Sequence, residues 1–252
     1  MSRKMFVLQI DKPIIQVKIC QMKNKFTSNF FQSCLIEVDK VVKATPKTAY
    51  AQRRLVKHKY SFSYLPFEPQ ILIWDYIWKH ADAKGWVKTQ AFFFCESFAY
   101  KKKELIYAWD FIKHWQNYVT HWGECDALAK LYTKILEFIP NKVLPLLKKW
   151  NTSSNQWMRR QSVVSLLYFQ RTKKRFLPFE VIIKSVDNLL DDKEYYVQKG
   201  VGWTLKELYQ VYPKPTFEYL KKNIKKIKPA AYTPAIEKLT LKEKQNLKRL
   251  RK

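Results

Sequence analysis

The sequence predicts an all-α fold, an α-α superhelix built as a solenoid of stacked helix pairs. Three observations carry this expectation. Apolar residues recur at helical spacing in one segment after another, and no strand-like run appears after residue 60. The breaks between segments are short, and only 4 glycines occur in 252 residues, which disfavours glycine-rich loops. Helix pairs return at roughly forty residues, a repeat length typical of helical solenoids. Such a stack curves, and its inner side forms a concave groove.

Residues 1–60 form the least readable segment. Ile15, Val17 and Ile19 alternate with Gln16 and Lys18, a weak strand signal. Met22-Lys23-Asn24-Lys25 reads as an alternative start of the protein. A first helix is expected over 30–42, ended by Thr45-Pro46-Lys47. A basic run follows at Arg53, Arg54, Lys57 and Lys59, read as a solvated helix face.

Residues 61–240 form the repeat domain. Pro66 and Pro69 bracket a turn, after which helices are expected over 69–80, 86–100 and 103–118. The next helix runs from about Thr120 to Ile139, where Pro140 ends it; Leu128, Leu131, Tyr132, Ile135 and Ile139 are its core stripe. Further segments follow at 143–150, 155–170 and 179–190. Asp191-Asp192 then caps a helix reaching Tyr212, and Pro213 and Pro215 open one over 217–226. Thr233-Pro234 reads as an N-cap followed by a first-turn proline, starting a last helix. The basic tail, 241–252, is expected to fray.

Lysine and arginine number 48 against 21 aspartates and glutamates, a net charge of +27. Charge of that size repels itself in a compact state, and a polyanion relieves it: nucleic acid first, an anionic membrane surface second. The cations are spread along the chain instead of gathered on one amphipathic helix, which argues against lipid. No long apolar run could span a membrane. Cys20, Cys34, Cys95 and Cys125 show neither CxxC pairing nor a histidine at zinc spacing. Free thiols in a reduced, cytoplasmic protein without a metal are the simplest reading. The stack is therefore expected to be HEAT-like, with a basic concave groove.

Three positions do not fit a plain solenoid. Trp122 and Asp126 stand one turn apart, away from the core stripe of their helix. Lys199, Trp203, Lys206 and Gln210 share an arc opposite the stripe of Val201, Leu205, Leu208 and Tyr212. Arg160 sits in an apolar arc of Trp157, Val163, Val164 and Leu167. A buried guanidinium needs a partner, either a carboxylate such as Asp126 or a phosphate; the neighbouring Arg159 is expected in solvent. Trp122, Arg160 and Trp203 fall in successive repeats, where a solenoid would align them.

At these residues the chain resembles the DNA alkylation repair glycosylases of the AlkD type, a HEAT-like repeat family. The family's Trp-x-x-x-Asp is matched by Trp122 and Asp126, and its Trp-x-x-Arg by Trp157 and Arg160. Its run Gln-Lys-[small]-x-Gly-Trp-x-Leu-[Arg/Lys]-Glu is the most specific element. Gln198, Lys199, Gly200, Gly202, Trp203, Leu205, Lys206 and Glu207 match it. The resemblance covers roughly residues 68–238 and is strongest over 118–212. Residues 1–60 depart from it, with Arg53-Arg54 only a loose substitute for the family's N-terminal arginine pair.

The resemblance implies a DNA glycosylase of base excision repair. Such an enzyme hydrolyses the N-glycosidic bond of cationic N3- or N7-alkylated purines, leaves an abasic site and needs no cofactor. The implied partner is double-stranded DNA with alkylated bases, bound by a monomer in the cytoplasm, at the nucleoid. Asp126 would stabilise the oxocarbenium-like sugar and position water. Trp122 and Trp203 would face the cationic nucleotide, Arg160 would grip a phosphate or orient Asp126, and Lys199 and Lys206 would contact the DNA backbone. The alternative is a non-catalytic DNA-binding HEAT-like repeat protein. A protein-interaction scaffold would explain the repeats, but neither the charge nor the exposed Trp–Asp pair.

Overall fold

The computed structural model describes residues 26–82, 85–168 and 170–251. The strand signal at residues 15–19, Cys20 and the alternative start at Met22 lie outside the described residues. Every regular element among the described residues is helical. They fall into two compact units that divide between Gln90 and Ala91.

In the first unit, Thr27 caps α1 (Ser28–Lys43), its hydroxyl accepting from the Phe30 N–H at 3.2 Å. Thr48 caps α2 (Ala49–Arg54) in the same way. The buried Gln52 side chain closes the connection by donating to the Val42, Thr45 and Pro46 carbonyls. Arg53, Arg54, Lys57 and Lys59 are exposed, as the sequence predicts. α3 (Phe67–His80) buries Ile71, Leu72, Ile73, Trp74, Ile77 and Trp78. The chain passes into the second unit within α4 (Val87–Ser97).

The second unit is a two-layer helical array. α5 (Lys102–Ile112) is followed by a single 3-10 turn at Trp115–Tyr118, so the helix predicted to reach residue 118 ends early. Then come α6 (Trp122–Phe138), α7 (Pro140–Trp150), α8 (Gln156–Leu167), α9 (Phe179–Asp187), α10 (Tyr195–Val211), α11 (Pro213–Asn223), α12 (Pro229–Ala235) and α13 (Leu241–Arg251). The helices α6, α8, α10 and α12 pack side by side in chain order. α7 touches both α6 and α8, α9 touches both α8 and α10, and α11 lies against α10 and α13. Such stacking of helix pairs is the HEAT-like arrangement.

The core stripes fall where the apolar spacing puts them, except that Ile139 and Tyr212 at their ends are only half-buried. Leu128, Leu131, Tyr132 and Ile135 of α6 are buried, as are Val201, Leu205 and Leu208 of α10. Each repeat is also pinned to the next by polar contacts. The Thr133 hydroxyl donates to the Ser165 carbonyl at 2.6 Å, and the Tyr212 hydroxyl to the Leu177 carbonyl at 3.0 Å.

Two sequence expectations are corrected at the C-terminal end. Thr233 is not an N-cap: it lies inside α12, its hydroxyl bonding back to the Pro229 carbonyl. Pro229 is the first-turn proline, and Pro234 sits in the last turn, where few residues remain for it to disrupt. The tail does not fray over 241–251. Thr240 and Glu243 form a capping box at the start of α13, with Thr240 N–H donating to Glu243 Oε2 at 2.9 Å and Glu243 N–H to Thr240 Oγ1 at 3.3 Å. Leu247 is buried against the core, and Arg251 lies over the Tyr232 ring at 4.3 Å.

Candidate active site

The site grows from the first turns of α6, α8 and α10, which pack side by side. Pro140 fixes the far end of α6. At its near end the His121 imidazole accepts from Gly123 N–H at 3.1 Å, and Glu124 Oε2 reaches back to Thr120 N–H at 2.8 Å. This cap fixes the direction of the first turn. It leaves Trp122 on the surface, 52 % exposed, with Asp126 one turn further in.

Arg160 is buried, and its partner is the carboxylate of Asp126. Nη2 and Nε donate to Asp126 Oδ1 at 2.7 and 3.2 Å, and Nη1 donates to the Tyr196 carbonyl at 2.7 Å. One guanidinium therefore joins α6, α8 and α10. Both contacts on the carboxylate fall on Oδ1, so Oδ2 accepts no hydrogen bond among the described residues. The Asp126 side chain keeps 16 % of its exposure, so the carboxylate is recessed but not sealed. Burial pushes the Asp126 carboxyl above the ordinary carboxylate range, and the charge and hydrogen bond of Arg160 pull the other way.

Gly200 explains how Arg160 fits. A Cβ there would stand 3.1 Å from Arg160 Cγ and 3.3 Å from Nη1, so the bare backbone of α10 is one wall of the guanidinium slot. Burial also pushes the neighbouring Cys125 thiol far up, which keeps it protonated and unsuited to nucleophilic work.

Trp203 is half-buried against the core cluster. Its ring stacks on Tyr168 with centroids 5.7 Å apart and 15° between planes, and Lys206 Nζ lies 3.8 Å from its centroid. Lys206 is itself buried and pairs with Glu237 at 3.3 Å. Lys199 is half-buried and borders an open cleft. Trp157 packs on Tyr196 at 5.3 Å, and Tyr196 meets Tyr195 edge-on at 5.2 Å.

Asp126 and Arg160 thus come into direct contact, as do Trp203 and Lys206. Arg159, expected in solvent, instead pairs with Asp192 (Nε to Oδ2, 2.6 Å) and donates to the Ser153 and Ser154 carbonyls. The sequence reading missed Tyr168, whose phenol lies within electrostatic reach of Asp126 and Arg160, and Tyr196. Neither carried a spacing signal. No cluster of three or more His, Cys, Asp or Glu that could hold a metal occurs among the described residues, and none of their helices is long and apolar enough to cross a membrane.

Comparison with known proteins gives the setting. None of the curated proteins compared with the chain matches its sequence. Among solved structures it is similar to a protein described as a predicted DNA alkylation repair enzyme from Enterococcus faecalis. That match has a TM-score of 0.60 at 15 % identity over 92 % of this chain and 97 % of the other. Two structures from Streptococcus mutans, smu.31 and AlkD2, align at TM-scores of 0.41, with 18 % and 19 % identity over 94 % of this chain and 97 % of each of theirs. Residues 87–239, most of the chain and nearly all of the second unit, match one family along their whole length: the protein belongs to the DNA alkylation repair enzyme family.

Proposed function

We propose that the protein is a DNA glycosylase that hydrolyses the N-glycosidic bond of cationic N3- or N7-alkylated purines in double-stranded DNA. The observation that carries this reading is the half-committed carboxylate: Asp126 Oδ1 is held by Arg160 while Oδ2 is left without a partner, one turn from the exposed Trp122. An alkylated purine already carries positive charge, so it departs neutral without being protonated. The sugar becomes oxocarbenium-like as the C1′–N bond breaks, and water then adds at C1′ and loses a proton. A fixed anion beside that carbon stabilises the charge where it develops, and Oδ2 is the atom available to do so and to orient the water.

Arg160, already bound to Asp126 and the Tyr196 carbonyl, is assigned to orienting the carboxylate instead of gripping a phosphate. Trp122 offers the freer aromatic face for the cationic nucleotide, worth about 0.5–2 kcal/mol. Trp203 contributes a second aromatic surface beside Tyr168. Lys199 is assigned to the DNA backbone; Lys206, shared between Glu237 and the Trp203 ring, braces that indole and reaches phosphate less readily. The protein works as a monomer in the cytoplasm, at the nucleoid, without a cofactor.

The test is release of free methylated purine from alkylated duplex DNA, followed by chromatography, beside a binding titration at two salt concentrations. Binding with no release would leave the non-catalytic DNA-binding protein as the correct account. Two variants sharpen the test. The reactive form of Asp126 is the anion, and burial raises its pKa, so the rate is expected to fall on acidification at a pH above that of an ordinary carboxylate. Arg160→Gln removes the group that lowers this pKa, so the acid limb should move to higher pH; an unmoved limb would assign it to another residue. Gly200→Val crowds Arg160 with a branched side chain. It should lower the single-turnover rate more than it weakens DNA binding, because the displaced guanidinium no longer aims Oδ2.

A further inference from the structure

A cleft of about 570 Å³ opens between the end of α7, the turn after α5 and the start of α8. α7 belongs to the layer that does not carry Asp126 and Arg160. The floor of the cleft is apolar, made by Leu146 and Trp150 of α7 and Met158 of α8. Its rim carries Lys113, Asn117 and Lys149.

The walls are fixed by the fold itself. Arg159 Nη1 donates to the Ser153 and Ser154 carbonyls, which holds the loop between α7 and α8. Ser153 Oγ donates to Met158 Sδ at 3.3 Å, which keeps the thioether in the wall. Trp150 is 5 % exposed, and its ring packs on Tyr132 with centroids 5.6 Å apart. Its indole N–H donates to nothing among the described residues, although it is not sealed from solvent. A fixed, unused donor in an apolar floor selects for an acceptor.

Charge around the cleft is one-sided. α7 contains no acidic residue, and Lys142, Lys148 and Lys149 are exposed, with no side-chain hydrogen bond or ion pair among the described residues. Lys142, Leu146 and Lys149 follow at helical spacing and form one stripe that runs into the cleft. Asp110, beside the rim, is taken by Lys113 at 2.8 Å.

We propose that this cleft and stripe dock the acidic C-terminal end of a partner protein whose last residue is large and apolar. Only at the end of a chain do an apolar side chain and a main-chain carboxylate share one Cα. The side chain lies against Leu146, Trp150 and Met158, while the carboxylate accepts from Trp150 Nε1 and faces Lys149. Lys142 is about 10 Å from Lys149 along α7, the reach of about three extended residues. An acid three places before the end therefore meets Lys142. A phosphodiester would use the cations but leave the apolar floor unfilled, which favours a protein end over nucleic acid. A cleft open on one side covers too little of a free small acid, so the upstream residues have to contribute. The proposal requires neither DNA binding nor base release.

The test is fluorescence anisotropy with a labelled peptide, Asp-Asp-Ser-Gly-Phe, bearing a free C-terminal carboxylate. Amidating that carboxylate should weaken binding by about tenfold or more, and so should Lys149→Glu. Trp150→Phe keeps a ring against Tyr132 and removes the N–H, so it should cost about threefold to tenfold. Leu146→Glu, at a partly exposed position, should weaken binding by at least as much and keeps the test decisive if Trp150→Phe melts early. Lys222→Gln with Lys225→Gln removes the same total charge from the region of α11 as Lys149→Glu and should change nothing. Equal binding of the acid and amide peptides overturns the proposal. So do equal losses from Lys149→Glu and the α11 pair, since the charge of the whole chain would then hold the peptide. N-acetylphenylalanine binding as tightly as the peptide overturns it in favour of a small acid. A DNA duplex that loses the same factor as the peptide with Lys149→Glu and with Leu146→Glu overturns it in favour of a nucleic-acid surface.

Discussion

Asp126→Asn should reduce the rate of base release by about 10²–10³-fold, the usual loss when one preorganised electrostatic group is removed, while DNA affinity persists. The asparagine keeps the size of the side chain and can keep an oxygen toward Arg160. What disappears is the negative charge at Oδ2, the one oxygen free of the fold's own hydrogen bonds. The comparison with Asp126→Ala separates chemistry from stability. Removing one member of a buried ion pair typically costs about 3–5 kcal/mol, because the other charge is stranded. Arg160 is buried, so the alanine variant should melt well below the wild type and the asparagine variant should fall between them. Single-turnover kinetics with a melting curve for each variant checks both statements. An asparagine variant with an unimpaired rate would remove Asp126 from the chemistry.

Gly202→Ala should destabilise the protein by about 3 kcal/mol or more, at or beyond the upper end for overpacking. The added methyl would stand 2.2 Å from the Ala231 carbonyl oxygen and 2.5 Å from Pro234 Cγ. These belong to the backbone and a proline ring of α12, which cannot rotate away. Ordinarily alanine in a helix interior is favoured over glycine by about 1 kcal/mol. A loss here therefore means that α10 and α12 touch through a site that admits only hydrogen. Gly200→Ala meets softer neighbours at 3.1–3.3 Å and should cost much less. Urea denaturation of both variants decides the matter; equal midpoints would mean that the two helices do not meet as closely as described.

The fold was legible because its signals are local. Helical spacing, prolines and capping residues fix the segments, and the second unit follows from their order. The errors lie where local chemistry has two solutions. Thr233-Pro234 has the composition of a helix start, yet Pro229 already begins that helix four residues earlier. The tail has the charge of a frayed end, but its Thr240–Glu243 box and the single apolar anchor Leu247 suffice to order it.

The site was legible in part for a different reason. Arg160 in an apolar arc demands a counter-charge, and Asp126 was one of two candidates; the geometry selects it. Arg159 reads as solvated in the sequence because its partner, Asp192, lies in the next repeat and no pattern within one helix points to it. Tyr168 and Tyr196 act across repeats too, one through its ring and one through its main-chain oxygen, and a main-chain oxygen leaves no trace in a sequence.

The bond between Arg160 and Asp126 also constrains how this protein can change over generations. A lineage that abandons the acid must soon abandon the base as well, since a solitary cation in that slot would weaken the whole array. Descendants that have lost the acid should therefore have replaced both positions, whereas a descendant that retains only the arginine should have gained a new anion nearby.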